Sequence, residues 1–136
     1  MDGLYNVIRI LHNAFGGLTL LLTLVAALLL LVTARTTSQG SALALRGNSI
    51  SASIQAVLGI LMVILGILIG NAAYIGNLWL HYLLGIVSVG VISAFAARAR
   101  RSPDSEARRF GGILLGVLVL VAITFYLGQT KLNPFA

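Results

Sequence analysis

The chain has 136 residues, of which 59% are hydrophobic and only 9% charged, a balance that excludes a soluble domain of this size. It has no cysteine, which excludes disulfides, zinc–thiolate centres, iron–sulfur clusters and thioether-linked haem. The net charge of +6 comes from basic residues that flank apolar runs, so it sets membrane topology and no nucleic-acid partner is expected.

The first predicted span covers about residues 5–34 and is apolar without interruption from Ala14. It is too long for a cleavable leader, and Asp2 stands where a basic n-region belongs. A polar Ser/Thr/Gly loop over 35–49 leads to a second span of about 50–73. Asn71 and the Gly76–Asn77 pair mark a short turn before a third span of about 78–97. A charged loop over 98–109, punctuated by Pro103 and Asp104, precedes a fourth span of about 110–127. No charged side chain falls between Gly47 and Ala97 or between Phe110 and Thr130, and both stretches reach the roughly 20 apolar residues that cross a bilayer. In lipid the backbone must satisfy its own polar groups, so the spans are helices, and short connections make neighbours antiparallel. The expected fold is all-α: an integral membrane four-helix up-down-up-down bundle forming a single transmembrane domain over 1–136.

Arginine sets the orientation. The first and third loops hold Arg35, Arg46, Arg98, Arg100, Arg101, Arg108 and Arg109, against Arg9 and Lys131 on the other side. The positive-inside bias places both termini outside. Tyr5, Tyr74, Trp79, Tyr82 and Tyr126 fall near the outer ends of the spans, as an interfacial belt does. The expected location is the inner (cell) membrane of a bacterium or archaeon, with membrane lipid as one partner.

The only two histidines, His12 and His81, each precede a glycine by four residues and a small hydroxyl residue by seven: His12–Gly16–Thr19 and His81–Gly85–Ser88. On a helix these offsets share one face. Each imidazole is thus followed, one turn on, by a place with no side chain, where a flat macrocycle can lie. Both histidines fall within about two turns of the outer boundary at ~1.5 Å per residue, so they are level. The first and third helices lie on a diagonal of the bundle, and level histidines on a diagonal read as the two axial ligands of one haem iron. Gly66 and Gly70 near the outer end of the second span, and Gly128 near that of the fourth, fall where a disc passing between those helices needs room. Arg9, a turn outward of His12, is a cation placed for the carboxylates of such a disc or for lipid phosphate. Thr19 and Ser88 are expected to hydrogen-bond within their own helices. Met62 shares a face with Gln55 and reads as core.

No paired carboxylates, Ser-His-Asp set or phosphate-binding glycine loop is present, so a stand-alone hydrolytic or proton-relay enzyme is not indicated. The pattern Leu11-His12, Ser53-Ile54-Gln55-Ala56-Val57-Leu58-Gly59 and His81-Tyr82-Leu83-Leu84-Gly85 resembles the small four-helix bacterial membrane proteins of the b-type cytochrome kind. The resemblance implies haem b held by His12 and His81. The larger members bind two haems through four histidines, whereas this chain has two and can hold at most one in that way. Two axial ligands imply one-electron transfer, with a quinol or a periplasmic electron carrier as partner. The alternatives are a cofactor-free structural subunit of a larger respiratory or photosynthetic membrane complex, or ligation of one chlorophyll-type pigment by each histidine. Association with a larger complex or as a homo-oligomer is compatible with either main reading.

Overall fold

The computed structural model describes residues 2–130, and Lys131 lies outside them. The described residues form helices joined by short connections, without a strand: α1 (Asp2–Thr33), α2 (Gln39–Leu68), a short α3 (Ala72–Gly76), α4 (Trp79–Ala99), a 3₁₀ turn (Asp104–Glu106) and α5 (Ala107–Thr130). Four of these helices are long and apolar enough to cross a membrane. Only 17–39% of their most apolar windows is buried within the protein, so most of that apolar surface faces outward. Val32 and Ile86 are 80% and 73% exposed, an arrangement suited to an apolar surrounding and not to water.

α1 packs against α2 and α5, and α4 packs against the same two helices. α1 and α4 therefore face each other across the bundle without lying side by side. The dense core sits at the end carrying the basic loops, where Ala26, Ala27 and Leu30 of α1 meet Leu45 of α2, Ile92 and Ala96 of α4, and Leu114 of α5. Alanines let the helix backbones approach there. The opposite end is not filled in this way, and the site lies in it.

α2 begins at Gln39, well before the predicted start at residue 50. Ser38 caps it by accepting from the Ser41 backbone N–H. Among the α2 residues that made 35–49 read as a loop, Ser41 and Asn48 are buried: Thr23 Oγ1 of α1 donates to Asn48 Oδ1 at 3.0 Å, and just beyond, the Thr19 and Ser51 hydroxyls meet at 2.8 Å. Polar pairs across a helix interface hold these helices together while leaving an apolar exterior. α2 ends at Leu68 and not near 73, closed by Gly70 at φ +86°. The Asn71 N–H donates to the Gly66 carbonyl at 2.9 Å and the Gly70 N–H to the Ile67 carbonyl at 3.1 Å, the pattern of a Schellman ending. α1 ends on Ala34, a non-glycine residue held at φ 51°.

Asp104 ties the two basic loops together. The Thr36 and Thr37 backbone N–H groups donate to its Oδ1 at 2.8 and 3.1 Å, and the Thr37 hydroxyl lies 3.0–3.1 Å from both carboxylate oxygens. The Thr36 hydroxyl donates to the Ser102 carbonyl at 2.8 Å. Read from the sequence as turn punctuation, Asp104 is the acceptor that fixes the α1–α2 connection against the α4–α5 connection.

Candidate functional site

His12 on α1 and His81 on α4 meet at the loosely filled end. Their ring centres are 6.1 Å apart and their planes stand at 80°. Level placement on diagonal helices, expected from spacing, is what brings them together.

Each imidazole is held by the next helix in the same manner. His12 Nδ1 donates to the Gln55 carbonyl of α2 at 3.2 Å, and His81 Nδ1 donates to the Thr124 carbonyl of α5 at 2.8 Å. A carbonyl can only accept, so each Nδ1 carries the proton and each Nε2 of the neutral ring presents a lone pair. In a helix the carbonyl of residue i is overhung by the side chain at i+4. Here those positions are Gly59 and Gly128. A Cβ at Gly59 would stand 3.2 Å from His12 Cε1, and one at Gly128 would stand 2.6 Å from His81 Cε1. A Cβ at Gly128 would push the His81 ring off the backbone, and one at Gly59 would crowd the His12 ring.

The space around the pair is a cavity of about 900 Å³, at the upper end of the ~300–1,000 Å³ of small-molecule and cofactor sites. Its walls are mostly apolar. Tyr5, Arg9, Asn13, Asn71, Tyr82 and Gln129 also line it. Of the residues predicted for a site, His12, His81, Gly16, Gly85, Gly128 and Arg9 all line this cavity. Gly16 is covered by the Phe125 ring, 2.9 Å from a Cβ placed there, and by the Gln55 amide at 3.2 Å, whereas a Cβ at Gly85 would find only Thr124 Cγ2, at 4.0 Å. Gly128 holds the His81 ring and does not simply clear room. Gly66 and Gly70 are not among the lining residues. Gly66 lies beneath Ile75 of α3 and beside Tyr5, and Gly70 forms the turn described above.

Thr19 and Ser88 do not confine themselves to their own helices. Thr19 pairs with Ser51, and the Ser88 hydroxyl lies 3.4 Å from that of Thr124. Met62 lines the cavity. Gln55 was legible as a polar neighbour of Met62 on α2 and as part of the Ser53–Gly59 pattern, without a role at the site. Its Nε2 lies 3.3 Å from His12 Nε2, while its Oε1 is buried with no hydrogen-bond partner. Gly59 stood in the Ser53–Gly59 pattern with no role of its own, and Thr124 and Phe125 carried no local signal, since a lone threonine or phenylalanine is ordinary in an apolar helix.

Among the described residues no three His, Cys, Asp or Glu side chains gather in one place. A metal held by side chains alone calls for three or four such ligands, so these two imidazoles would hold a metal only together with a group that brings its own ligands. Two imidazoles sharing one metal, each nitrogen about 2 Å from it, set their ring centres roughly 6 Å apart, in line with the spacing here. The donor set, the carbonyl-held Nδ1 atoms and the cavity fit a haem. Comparisons with protein-family models, with curated proteins and with solved structures find no match for the chain.

Proposed function

We propose that this protein is a membrane b-type cytochrome, with one haem b held by His12 and His81 near the outer face. The observation that carries the reading is the facing imidazole pair, drawn from diagonal helices, with both Nδ1 atoms anchored on backbone carbonyls and a cavity of cofactor size around them. The apolar exterior supports four membrane crossings in up-down-up-down order. The arginines of the two connecting loops at the densely packed end support placing that end in the cytoplasm and both termini outside. The proposed location is the cell membrane of a bacterium or archaeon.

A haem held by His12 and His81 would supply one-electron transfer. The protein's part is positional. The Gln55 and Thr124 carbonyls fix the tautomer and orientation of each ring. Gly85 keeps its stretch of the α4 wall flat. Arg9 at the cavity's edge offers a cation to the carboxylates of the group or to a docking partner. A ligand that takes His12 Nε2 displaces the Gln55 amide from it. The electron partner meets the outer edge, as a quinol or a small periplasmic carrier.

The visible spectrum of the purified protein tests this. A low-spin haem signature with a sharp reduced α-band is the expected result. A colourless protein, after expression with ample haem, overturns it and favours a cofactor-free subunit of a larger respiratory or photosynthetic complex.

A further inference from the structure

The two histidine cradles are the same construction used twice. His12 and Gln55 are 43 residues apart, and so are His81 and Thr124. In both cases the glycine beneath the ring follows the residue with the accepting carbonyl by four residues. The correspondence extends through the chain at a constant offset of 69: Tyr5 and Tyr74, Leu11 and Leu80, Gly16 and Gly85, Leu58 and Leu127, and Gly59 and Gly128 are identical pairs in that register. Every cavity-lining residue from Tyr5 to Ile60 has its counterpart 69 positions later also in the lining. The packing obeys the same relation, since exchanging α1 with α4 and α2 with α5 returns the same set of neighbours.

The copies differ at one place that decides the shape of the cavity. Phe125 of α5 covers Gly16 together with the Gln55 amide. The residue corresponding to Phe125 in the first copy is Ala56, and the one corresponding to Gln55 in the second is Thr124. The wall at Gly85 is accordingly bare. The cavity also extends along α4 past Ile86, Val89 and Ile92, whereas their counterparts Gly17, Leu20 and Thr23 do not line it. Ile60 of α2 and Ile86 of α4 both line the cavity and are 61% and 73% exposed, which puts an apolar rim between these two helices.

We propose that the chain is two copies of one helical hairpin related by a twofold axis along the bundle, with the imidazoles meeting at the axis, and that a flat porphyrin-type macrocycle placed between them extends on the α4 side, into the room left by Ala56 where the other copy has Phe125. This deepens the cytochrome reading and rests on it for the class of ligand. Access is from the side, between α2 and α4, where the rim is isoleucine and suits an apolar edge.

The test is a titration of the full-length, detergent-solubilised protein with metal-free protoporphyrin, followed by fluorescence. Without a metal this probe reports the room for the ring and not imidazole ligation. Wild type and Phe125→Ala bind it, while Ala56→Phe weakens binding at least tenfold with unchanged helix content. Ala56→Phe copies an arrangement the other half already contains. Gly85→Leu, which fills the same room from α4, gives the same loss and serves if Ala56→Phe fails to fold. Unchanged binding in Ala56→Phe or Gly85→Leu overturns the proposal, as does equal loss in Phe125→Ala, which shows the ring resting on Phe125 and not extending past Ala56. Wild-type protein that takes the probe in this pattern but shows no haem spectrum keeps the half-site and refutes the cytochrome. A haem-loaded protein indifferent to Ala56→Phe does the reverse. Wild type that binds neither overturns both.

Discussion

The ring of His81 rests on the backbone of Gly128, so closely that a Cβ there would come within 2.6 Å of Cε1 and 3.0 Å of Nδ1. The same nitrogen donates to the Thr124 carbonyl one turn back. Gly128→Ala therefore favours the helix by about 1 kcal/mol in propensity yet drives the ring off its carbonyl. The expected outcome is a folded protein that retains haem about tenfold less well, the equivalent of one lost hydrogen bond of about 1–1.5 kcal/mol. Gly59→Ala acts in the same direction and more weakly, because its Cβ would stand 3.2 Å from the His12 ring. Haem-to-protein ratios after purification check both.

Arg9 lines the cavity near its polar end. A cation close to the carboxylates of a bound haem favours the reduced iron, so Arg9→Gln lowers the reduction potential, on the order of tens of millivolts for a partly exposed charge pair. Redox titration of the reduced α-band measures it. An unchanged potential assigns Arg9 to lipid phosphate.

Asp104 precedes the apolar run that begins at Phe110, and its carboxyl is held below the usual carboxylate range. The leading cause is the Thr37 backbone N–H, aided by the Thr37 hydroxyl and by Thr36. A carboxyl so lowered contributes its full stability above the ordinary aspartate value of about 4. The contribution disappears as pH falls through the lowered value. Asp104→Asn is expected to reduce the melting temperature in detergent at neutral pH and to flatten its fall on acidification below pH 4. Parallel pH dependence in the two proteins contradicts the clamp.

Ala34 ends α1 in the left-handed region, at φ 51°. A Cβ in that conformation costs about 1 kcal/mol relative to glycine. Ala34→Gly should raise stability by roughly 0.5–1 kcal/mol, measured by thermal or denaturant unfolding, with no change in the site more than twenty residues away.

The helices, their number and the meeting of the two histidines were legible in the sequence, because apolar length and helical spacing report them directly. The start of α2 was not. Ser41 and Asn48 look like loop residues, and only the bond of Asn48 to Thr23 of α1 and that of Ser41 to the Ser38 cap mark them as helical and buried. The cradle was hidden for a different reason: a backbone carbonyl has no sequence signature, and Gly59 and Gly128 acquire meaning only when the rings on the facing helices are in place. Gly66 and Gly70 drew attention by their spacing, yet one packs beneath Ile75 and the other makes a turn. The offset of 69 was present in the sequence as the matched His–Gly–hydroxyl triplets, and its extension into α2 and α5 becomes visible through the shared cavity.

The central claim is that His12 and His81 share one iron. Electron paramagnetic resonance of the oxidised protein, with iron quantified per chain, tests it most directly in wild type, His12→Ala and His81→Ala. One iron per chain is expected, with a low-spin, bis-imidazole signal that disappears in each variant, since one remaining imidazole leaves the iron five-coordinate. A low-spin signal retained in both variants would contradict it.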